Sequence, residues 1–226
     1  EKEVINLVTK RIKGLTKLRK TLGDKTIDYK GYGGFEVFDN ESDFEKCAQQ
    51  LSYLNNLIKE NTGIHQTYTI ADANIKTMGF KEVKHLIHNL YEGQINTGSM
   101  MKALVLKAQK AGVTIINGIN IKSLHPHAST VVLDDNTELK ATKILVCTNG
   151  FAQQLLPELS VHPARAQVLI TKPINGLKIK GSFHYDKGYY YFRNIDDRLL
   201  LGGGRNLDFK GEETIEMATT ATIQAS

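Results

Sequence analysis

Lys143-Ile-Leu-Val-Cys-Thr-Asn-Gly150 is the stretch that most restricts the fold of this chain, and Phe151-Ala-Gln-Gln-Leu-Leu156 follows it at once. The short β-branched run predicts a buried strand, the small polar end predicts a turn, and the following segment predicts a helix. Such a turn presents free backbone N–H groups and the positive end of a helix. Thr148, Asn149 and Gly150 are therefore candidates to contact an anionic or adenine-bearing cofactor, the alternative being an ordinary tight connection.

The segments before this stretch alternate between helical and strand patterns. Glu92-Gly93-Gln-Ile-Asn-Thr-Gly98 leads into a helix predicted over 97–111, with Gly112 just beyond its end. Short strands are then predicted at 113–116, 119–124, 131–133 and 138–141. Asp134-Asp-Asn136 predicts the tight turn between the last two strands.

The remaining parts of the chain predict helices and antiparallel strands. Apolar residues at helical spacing predict an amphipathic helix over 3–22 and a second helix, which Asp39-Asn-Glu-Ser-Asp43 caps and Gly63 ends. The other predicted elements are a strand pair within 27–38, a strand at 83–87, a strand at 165–172, a hairpin of 188–193 with 198–202, and a helix in the Thr/Ala-rich tail after Gly211.

Composition is that of an ordinary globular protein, with 41% hydrophobic and 23% charged residues among 226. No apolar run approaches the ~20 residues needed to span a bilayer. Cys47 and Cys147 lie in apolar patterns, so we expect buried free thiols in a reducing cytoplasm. The histidines have no Cys or carboxylate at metal-ligand spacing, so no metal is expected.

The basic excess, a net charge of +5, is concentrated in the first predicted helix. A solvated helix face is the main interpretation of such a run. Nucleic-acid binding is the alternative, and it is weaker because no interleaved aromatic residues or recognised motif accompany the charges. We therefore expect no nucleic-acid partner.

Several weak motifs occur here in one order, and together they resemble the D-amino acid oxidase-like (DAO) family of FAD-dependent oxidoreductases. The resemblance covers Gly93 to Leu156, then Pro163-Ala-Arg-Ala-Gln-Val-Leu-Ile-Thr-Lys-Pro173. The block from Gly188 to Arg205 is most similar to the gamma-glutamylputrescine oxidoreductase-like branch. No Gly-x-Gly-x-x-Gly follows a first predicted strand, so we expect an internal fragment that is inactive alone and has weak flavin affinity.

The resemblance implies a mixed α+β and α/β fold, in which part of an FAD/NAD(P)-binding, Rossmann-like domain is interleaved with an antiparallel-sheet substrate domain. It implies an entry helix over 1–24, a first part of the substrate domain over 25–92, the second half of the FAD-binding domain over 93–164, and a second part of the substrate domain over 165–226.

The resemblance also implies roles for particular residues. The backbone of Ile121 is expected to pair with adenine, although its side chain is that of a buried strand residue. Tyr189 and Tyr191 alternate with Tyr190, so they are expected to share one side of a strand and to contact substrate. Core packing is an equal alternative. Arg193 is a candidate to hold a substrate carboxylate, and pairing with Asp196 or Asp197 in the turn is the favoured alternative.

The function implied for the full-length protein is oxidation of a primary or secondary amine, or an amino acid, by hydride transfer to FAD. The expected partner is thus a small-molecule amine, with no membrane partner, and oligomeric state is left open. Two alternatives remain: a hydroxy-acid or glycerol-phosphate type of flavin oxidoreductase, and a non-catalytic module that binds a peptide or nucleic acid.

Overall fold

The computed structural model describes residues 1–225. Within them the α-helices are α1 (Lys2–Leu22), α2 (Glu41–Ala48), α3 (Leu51–Thr62), α4 (Ala73–Met78), α5 (Thr97–Lys110) and α6 (Ala221–Gln224). The strands are β1 (Gly34–Phe38), β2 (Tyr68–Ile70), β3 (His85–Asn89), β4 (Ile121–His125), β5 (Thr130–Leu133), β6 (Glu138–Lys140), β7 (Val168–Ile170), β8 (Ser182–Tyr185), β9 (Tyr190–Ile195) and β10 (Arg198–Gly203).

The chain divides into two compact units. Unit 1 comprises Glu1–Ala111 and Val168–Gly203, and unit 2 comprises Gly112–Gln167 with the segment that starts at Gly204. The predicted assignment of flavin and substrate roles to 25–92, 93–164 and 165–226 stays a prediction. Among the described residues, no helix has the length and apolar content needed to cross a bilayer.

Unit 1 is built on a seven-stranded sheet of order β2-β3-β1-β8-β9-β10-β7. Strands β1 and β8 are parallel, and the other neighbours are antiparallel. Side chains alternate between the two faces of each strand. On the face that we call the core face, the Phe183 ring stacks between Phe35 and Phe192, with ring centroids 4.8 Å and 4.7 Å away. Helix α4 and Phe80 pack against this cluster.

Helix α2 covers part of the opposite face of the sheet. Phe38 and Ile87 pack there against Phe44 of α2. Helix α2 begins where the sequence predicted, because the Asn40 side chain accepts a hydrogen bond of 2.9 Å from the backbone N–H of Asp43. The cap fixes the direction in which α2 leaves β1, and so places Phe44 over the end of the sheet.

His85 ties α2 to the sheet beside this apolar cluster. Its ring stacks on Phe44 at 3.8 Å, its Nδ1 lies 2.7 Å from Asp72, and its Nε2 lies 2.9 Å from Glu41. The hydrogen bond to Asp72, reinforced by Glu41, raises the pKa of His85. Both ring nitrogens are therefore engaged with carboxylates.

Unit 2 contains a three-stranded sheet of order β4-β5-β6. The turn from β5 to β6 follows the predicted Asp134–Asn136 segment, and Asn136 has a φ of 65°, a conformation that asparagine tolerates. A buried polar cluster joins the segment before β7 to the end of the chain. Its centre is Glu212, which is 1% exposed.

The mixed α+β class is confirmed, as are the first helix, the helix after Asn96 and the hairpin of β9 with β10. The strand pair within 27–38 is wrong: only β1 forms there, and Lys30 makes an isolated bridge with Gln94. The second predicted helix, capped by Asp39–Asp43 and ended by Gly63, is interrupted between α2 and α3. The predicted helix in the tail is limited to four residues.

The predicted buried strand at 143–147 is also wrong. Leu145 is 87% exposed, and this segment, like 113–116, pairs with no strand among residues 1–225. A strand needs a neighbour for its backbone hydrogen bonds, and no local pattern supplies one. For the same reason Cys147 is exposed, and Cys47 is exposed on α2, so both are free but not buried.

We expect His85→Gln to flatten the pH dependence of stability. The raised pKa of His85 in the folded state means that its protonation stabilises the fold fully below about pH 6.5. This contribution is lost as the pH rises through the folded-state pKa. The free energy of unfolding, from urea titrations between pH 6 and 9, should therefore change less in the variant, by roughly 1 kcal/mol or less.

The matched control for this prediction is His65→Gln. His65 is exposed, and its side chain makes no hydrogen bond among the described residues. The control should leave the pH dependence of the wild type unchanged. Parallel pH profiles for wild type and His85→Gln would contradict the assigned role of His85.

Candidate functional site

A row of ionisable and aromatic side chains crosses the middle of the sheet in unit 1. Glu36 on β1 is opposite His184 on β8, His184 is opposite Tyr191 on β9, and Tyr191 is opposite Gly202 on β10. Residues opposite one another in register point to the same face. We call the face formed by Glu36, His184, Tyr191 and Gly202 the open face.

The open face is uncovered although it lies at the centre of the sheet. Strand β8 is the middle strand of the seven, and on the core face its Phe183 is fully buried. On the open face, in contrast, the side chains of His184 and Glu36 are 44% and 46% exposed. The packing of unit 1 therefore buries one side of β8 and leaves charged groups accessible on the other.

Glu36 orients the imidazole of His184. The Nδ1 of His184 lies 3.2 Å from Oε1 of Glu36. Because a carboxylate can only accept, Nδ1 carries the hydrogen and Nε2 of the neutral ring is an acceptor. The hydrogen bond to Glu36 raises the pKa of His184, and partial burial opposes this effect.

Tyr191 covers the glycine beside it. A Cβ at Gly202 would lie 2.6 Å from Cζ and the hydroxyl oxygen of Tyr191, so the ring occupies the space that a side chain there would need. Tyr189 is placed differently from the prediction. Strand β9 begins at Tyr190, and Tyr189 ends the preceding turn, 42% exposed. The prediction that Tyr189 and Tyr191 share one side of a strand is therefore wrong.

Arg193 lies further along β9 and reaches the chain before α5. Its guanidinium donates a hydrogen bond of 3.2 Å to the carbonyl of Ile95. The favoured pairing with Asp196 or Asp197 is wrong, since neither is bonded to Arg193 among the described residues. Arg193 lines a cleft of about 420 Å³, which Lys180, Asp28 and the start of α5 also border.

Arg165, within the Pro163–Pro173 segment, forms an internal ion pair. Its Nε and Nη2 each donate to a different oxygen of Glu212, both at 2.9 Å. Gln167 and Thr220 also donate to this carboxylate. The bidentate pair with Arg165, together with these bonds, lowers the pKa of Glu212 to about 2. Arg165 is therefore a structural residue of unit 2.

The turn at Thr148, Asn149 and Gly150 in unit 2 leaves one polar side-chain atom unsatisfied. The buried hydroxyl oxygen of Thr148 has no hydrogen-bond partner among the described residues. Asn149 has a φ of 49° and starts a 3₁₀ helix, Asn149–Gln154, in place of the predicted α-helix. A Cβ at Gly150 would lie 3.1 Å from Cβ of Pro163. A hydroxyl without a partner beside a tight turn fits a polar cofactor.

Ile121 is the first residue of β4, which is an edge strand of the sheet in unit 2. An edge strand has one side on which backbone N–H and C=O groups are not paired within the sheet. The register of β4 with β5 is also irregular between Ile121 and Ser123. This position fits the expected contact through backbone atoms, although the Ile121 side chain is 38% exposed and not buried as expected.

The profile of one protein family, described as FAD dependent oxidoreductase (DAO), matches residues 2–225. The chain belongs to the DAO family of FAD-dependent oxidoreductases. No curated protein matches the chain by sequence.

Solved structures similar to this DAO chain share its fold at low sequence identity. L-proline dehydrogenase from P. horikoshii has a TM-score of 0.74 at 14% identity, over 95% of this chain and 59% of that one. Glycine oxidase from Bacillus cereus ATCC 14579 has a TM-score of 0.74 at 13% identity, and the match covers 97% of this chain and 60% of that one. Iminodiacetate oxidase from Chelativorans sp. BNC1 has a TM-score of 0.73 at 17% identity, and the match covers 99% of this chain and 61% of that one. The chain thus spans about three-fifths of the length of these relatives.

Of the residues in this candidate site, the sequence suggested Tyr191 and Arg193 but not Glu36 and His184. The available signal was a charged residue within each of two short apolar strands, in Gly34-Phe-Glu-Val-Phe38 and Ser182-Phe-His-Tyr185. Alternation places each charged residue opposite the core face. Their proximity was not predictable locally, because they are 148 residues apart.

We expect Glu212→Gln to remove an acid-sensitive part of the stability. The lowered pKa of Glu212 stabilises the fold above about pH 4.5, and this contribution is lost as the pH falls through about 2. The urea midpoint of the variant should be lower than that of the wild type at pH 7. It should also fall less steeply on acidification.

Glu213→Gln is the matched control for Glu212→Gln. Glu213 is the next residue and pairs with His162 in an exposed contact, so its loss should change the midpoint little. Equal midpoints for the two variants at pH 7 would contradict the importance of the Arg165–Glu212 pair.

We expect Gly202→Ala to displace the Tyr191 ring and leave the fold intact. The three atoms nearest to the added Cβ all belong to the end of the Tyr191 ring, which can rotate at a cost of about 1 kcal/mol. The Tyr191 ring signals in ¹³C-tyrosine NMR, assigned with Tyr191→Phe, should shift strongly.

Gly14→Ala is the control for this substitution. A Cβ at Gly14 meets nothing within 4 Å, so the variant should keep the Tyr191 signals. Because Gly14 lies inside α1, where alanine is more favourable than glycine, the free energy of unfolding of the Gly14→Ala variant should rise by up to about 1 kcal/mol. Unchanged Tyr191 signals in Gly202→Ala would show that the ring does not cover Gly202.

Proposed function

We propose that the protein oxidises a primary or secondary amine, or an amino acid, by hydride transfer to FAD, with the open face as the wall of its substrate site. The observation that carries the proposal is the open face itself. An accessible carboxylate and imidazole lie together at the centre of a sheet, with Tyr191 on the next strand, in a chain of the DAO family.

The residues proposed to hold FAD are Ile121, Thr148, Asn149 and Gly150. The unpartnered hydroxyl of Thr148 and the edge position of β4 support this assignment. The flavin supplies the acceptor for the hydride that leaves the carbon attached to nitrogen. No Gly-x-Gly-x-x-Gly follows a strand in the 226 residues, so we propose that this chain alone is inactive and binds FAD weakly.

Tyr189, Tyr191 and Arg193 are proposed to bind the substrate. The face of an aromatic ring attracts a cationic amine until it loses its proton. Arg193 uses one donor on Ile95, and its guanidinium has further N–H groups for a carboxylate. A substrate with both an amine and a carboxylate would satisfy both groups.

An amine substrate is favoured over a hydroxy acid or glycerol phosphate by two considerations. The names of the three similar structures all denote enzymes of amino or imino acids. The Gly188–Arg205 block also resembles the gamma-glutamylputrescine oxidoreductase-like branch. We therefore include gamma-glutamylputrescine among the candidate substrates.

The test uses the complete gene product beside the 226-residue chain. We expect the complete product to be yellow, with flavin absorbance that is bleached anaerobically by at least one of glycine, sarcosine, L-proline, putrescine and gamma-glutamylputrescine. The 226-residue chain should bind added FAD much more weakly. 2-Hydroxyglutarate and glycerol 3-phosphate are the comparison substrates.

Bleaching by a comparison substrate alone would overturn the amine proposal in favour of the hydroxy-acid or glycerol-phosphate alternative. A folded complete product that takes up no FAD would overturn the flavoenzyme proposal. Salt-dependent binding of DNA or RNA by such a protein would then favour a binding module built on the basic helix α1.

A further inference from the structure

We propose that His184, held by Glu36, is the group that accepts a proton from the ammonium form of the substrate before hydride transfer. This inference rests on the proposed function, because it assigns a role in amine oxidation. An ammonium nitrogen has no lone pair to support loss of hydride from the adjacent carbon. A proton acceptor beside the bound amine therefore has a defined task.

The geometry of the Glu36–His184 pair suits this task. Nδ1 is engaged by Glu36 at 3.2 Å, which leaves Nε2 as the only acceptor of the neutral ring. Nε2 has no hydrogen-bond partner among the described residues, and the side chain is 44% exposed on the open face. The next residue across the sheet is Tyr191, one of the proposed substrate contacts.

The proton transfer is balanced without another reactant. An N–H bond of the ammonium breaks, its electron pair stays on nitrogen, and the proton adds to Nε2 of His184. The imidazolium that forms is stabilised by the carboxylate of Glu36. Nothing is oxidised or reduced in this step. The free amine can then lose hydride from its carbon, and the resulting iminium is hydrolysed by water.

Two carboxylates act on the pKa of His184. Glu36 on β1 raises it through the hydrogen bond, and Glu92, from the segment after β3, adds a smaller effect of the same sign. On the other side is the phenol of Tyr191 on β9. The thiol of Cys47 on α2 lies near Glu36, which contributes, after burial, to the raised pKa of that thiol. A raised pKa makes the neutral imidazole a stronger proton acceptor.

A second histidine in the same sheet supplies an internal comparison. His85 also pairs with a glutamate, Glu41, but its other nitrogen is bonded to Asp72 and its ring is stacked on Phe44. Thus His85 has no free ring nitrogen. His184 differs in the one property that a proton acceptor requires.

The first test needs no flavin and follows the histidine rings of the 226-residue chain by ¹³C NMR against pH. The signal missing in His184→Gln assigns His184. Its pKa should be above 6.5 in the wild type and lower in Glu36→Gln. In the control Glu41→Gln it should be unchanged. A His184 pKa that does not respond to Glu36→Gln would overturn the proposal.

The second test measures flavin reduction in the complete gene product against pH, using the panel amine that bleaches the wild type. His184→Gln should reduce the rate at pH 7 by about 100-fold. The difference in rate between the wild type and His184→Gln should shrink as the pH approaches the pKa of the substrate's ammonium group in solution. At that pH more of the substrate binds as the neutral amine and needs no proton acceptor. A merely structural role would leave the deficit constant with pH.

Glu36→Gln should move the acid limb of the rate profile to lower pH. Without the carboxylate the His184 pKa is lower, so the ring stays neutral and able to accept at lower pH. Glu41→Gln should leave the limb in place. If an amine reduces the flavin and the limb does not move in Glu36→Gln, the role of His184 is overturned and the proposed function stands. If no amine reduces it, the proposed function itself fails.

Discussion

The stack of Phe183 between Phe35 and Phe192 is the interaction on which unit 1 depends. It joins the three central strands, β1, β8 and β9, on one face, and burial of one such ring stabilises a fold by roughly 1.5–3 kcal/mol. Because side chains alternate along a strand, seating these rings fixes which residues face the other way. A slip of one residue would bury Glu36 and His184 and expose Phe35 and Phe183. The apolar packing therefore specifies the charged face.

Unit 2 depends on a polar interaction in place of an aromatic one. Glu212 is almost fully buried, and its carboxylate oxygens are bonded by Arg165, Gln167 and Thr220. A buried charge is tolerated only when its hydrogen-bonding groups are satisfied, so these segments must converge together or not at all. The cluster thereby fixes where the chain enters and leaves unit 2. It also explains why Arg165 is not available for a substrate.

Local signals in the sequence predicted the elements whose partners are close in the chain. Helix α1, the Asn40 cap, the turn at Asn136 and the hairpin of β9 with β10 all follow from spacing and turn chemistry. The failures have a common cause. The segments at 113–116 and 143–147 have strand composition, but a strand is defined by its neighbour, and local spacing carries no information about a neighbour far along the chain. The family resemblance led to the correct fold class although these elements were wrong.

The candidate site was only half predictable for the same reason. Tyr191 and Arg193 lie in a hairpin with a clear local pattern, whereas the Glu36–His184 pair depends on a parallel contact between β1 and β8. Charge alone does not distinguish this pair, since His85 and Glu41 pair in the same sheet. The difference is cover: the Phe44 ring stacks on His85, whereas the His184 side chain is 44% exposed. With only Nδ1 bonded, the His184 ring keeps Nε2 accessible, whereas both ring nitrogens of His85 are bonded to carboxylates.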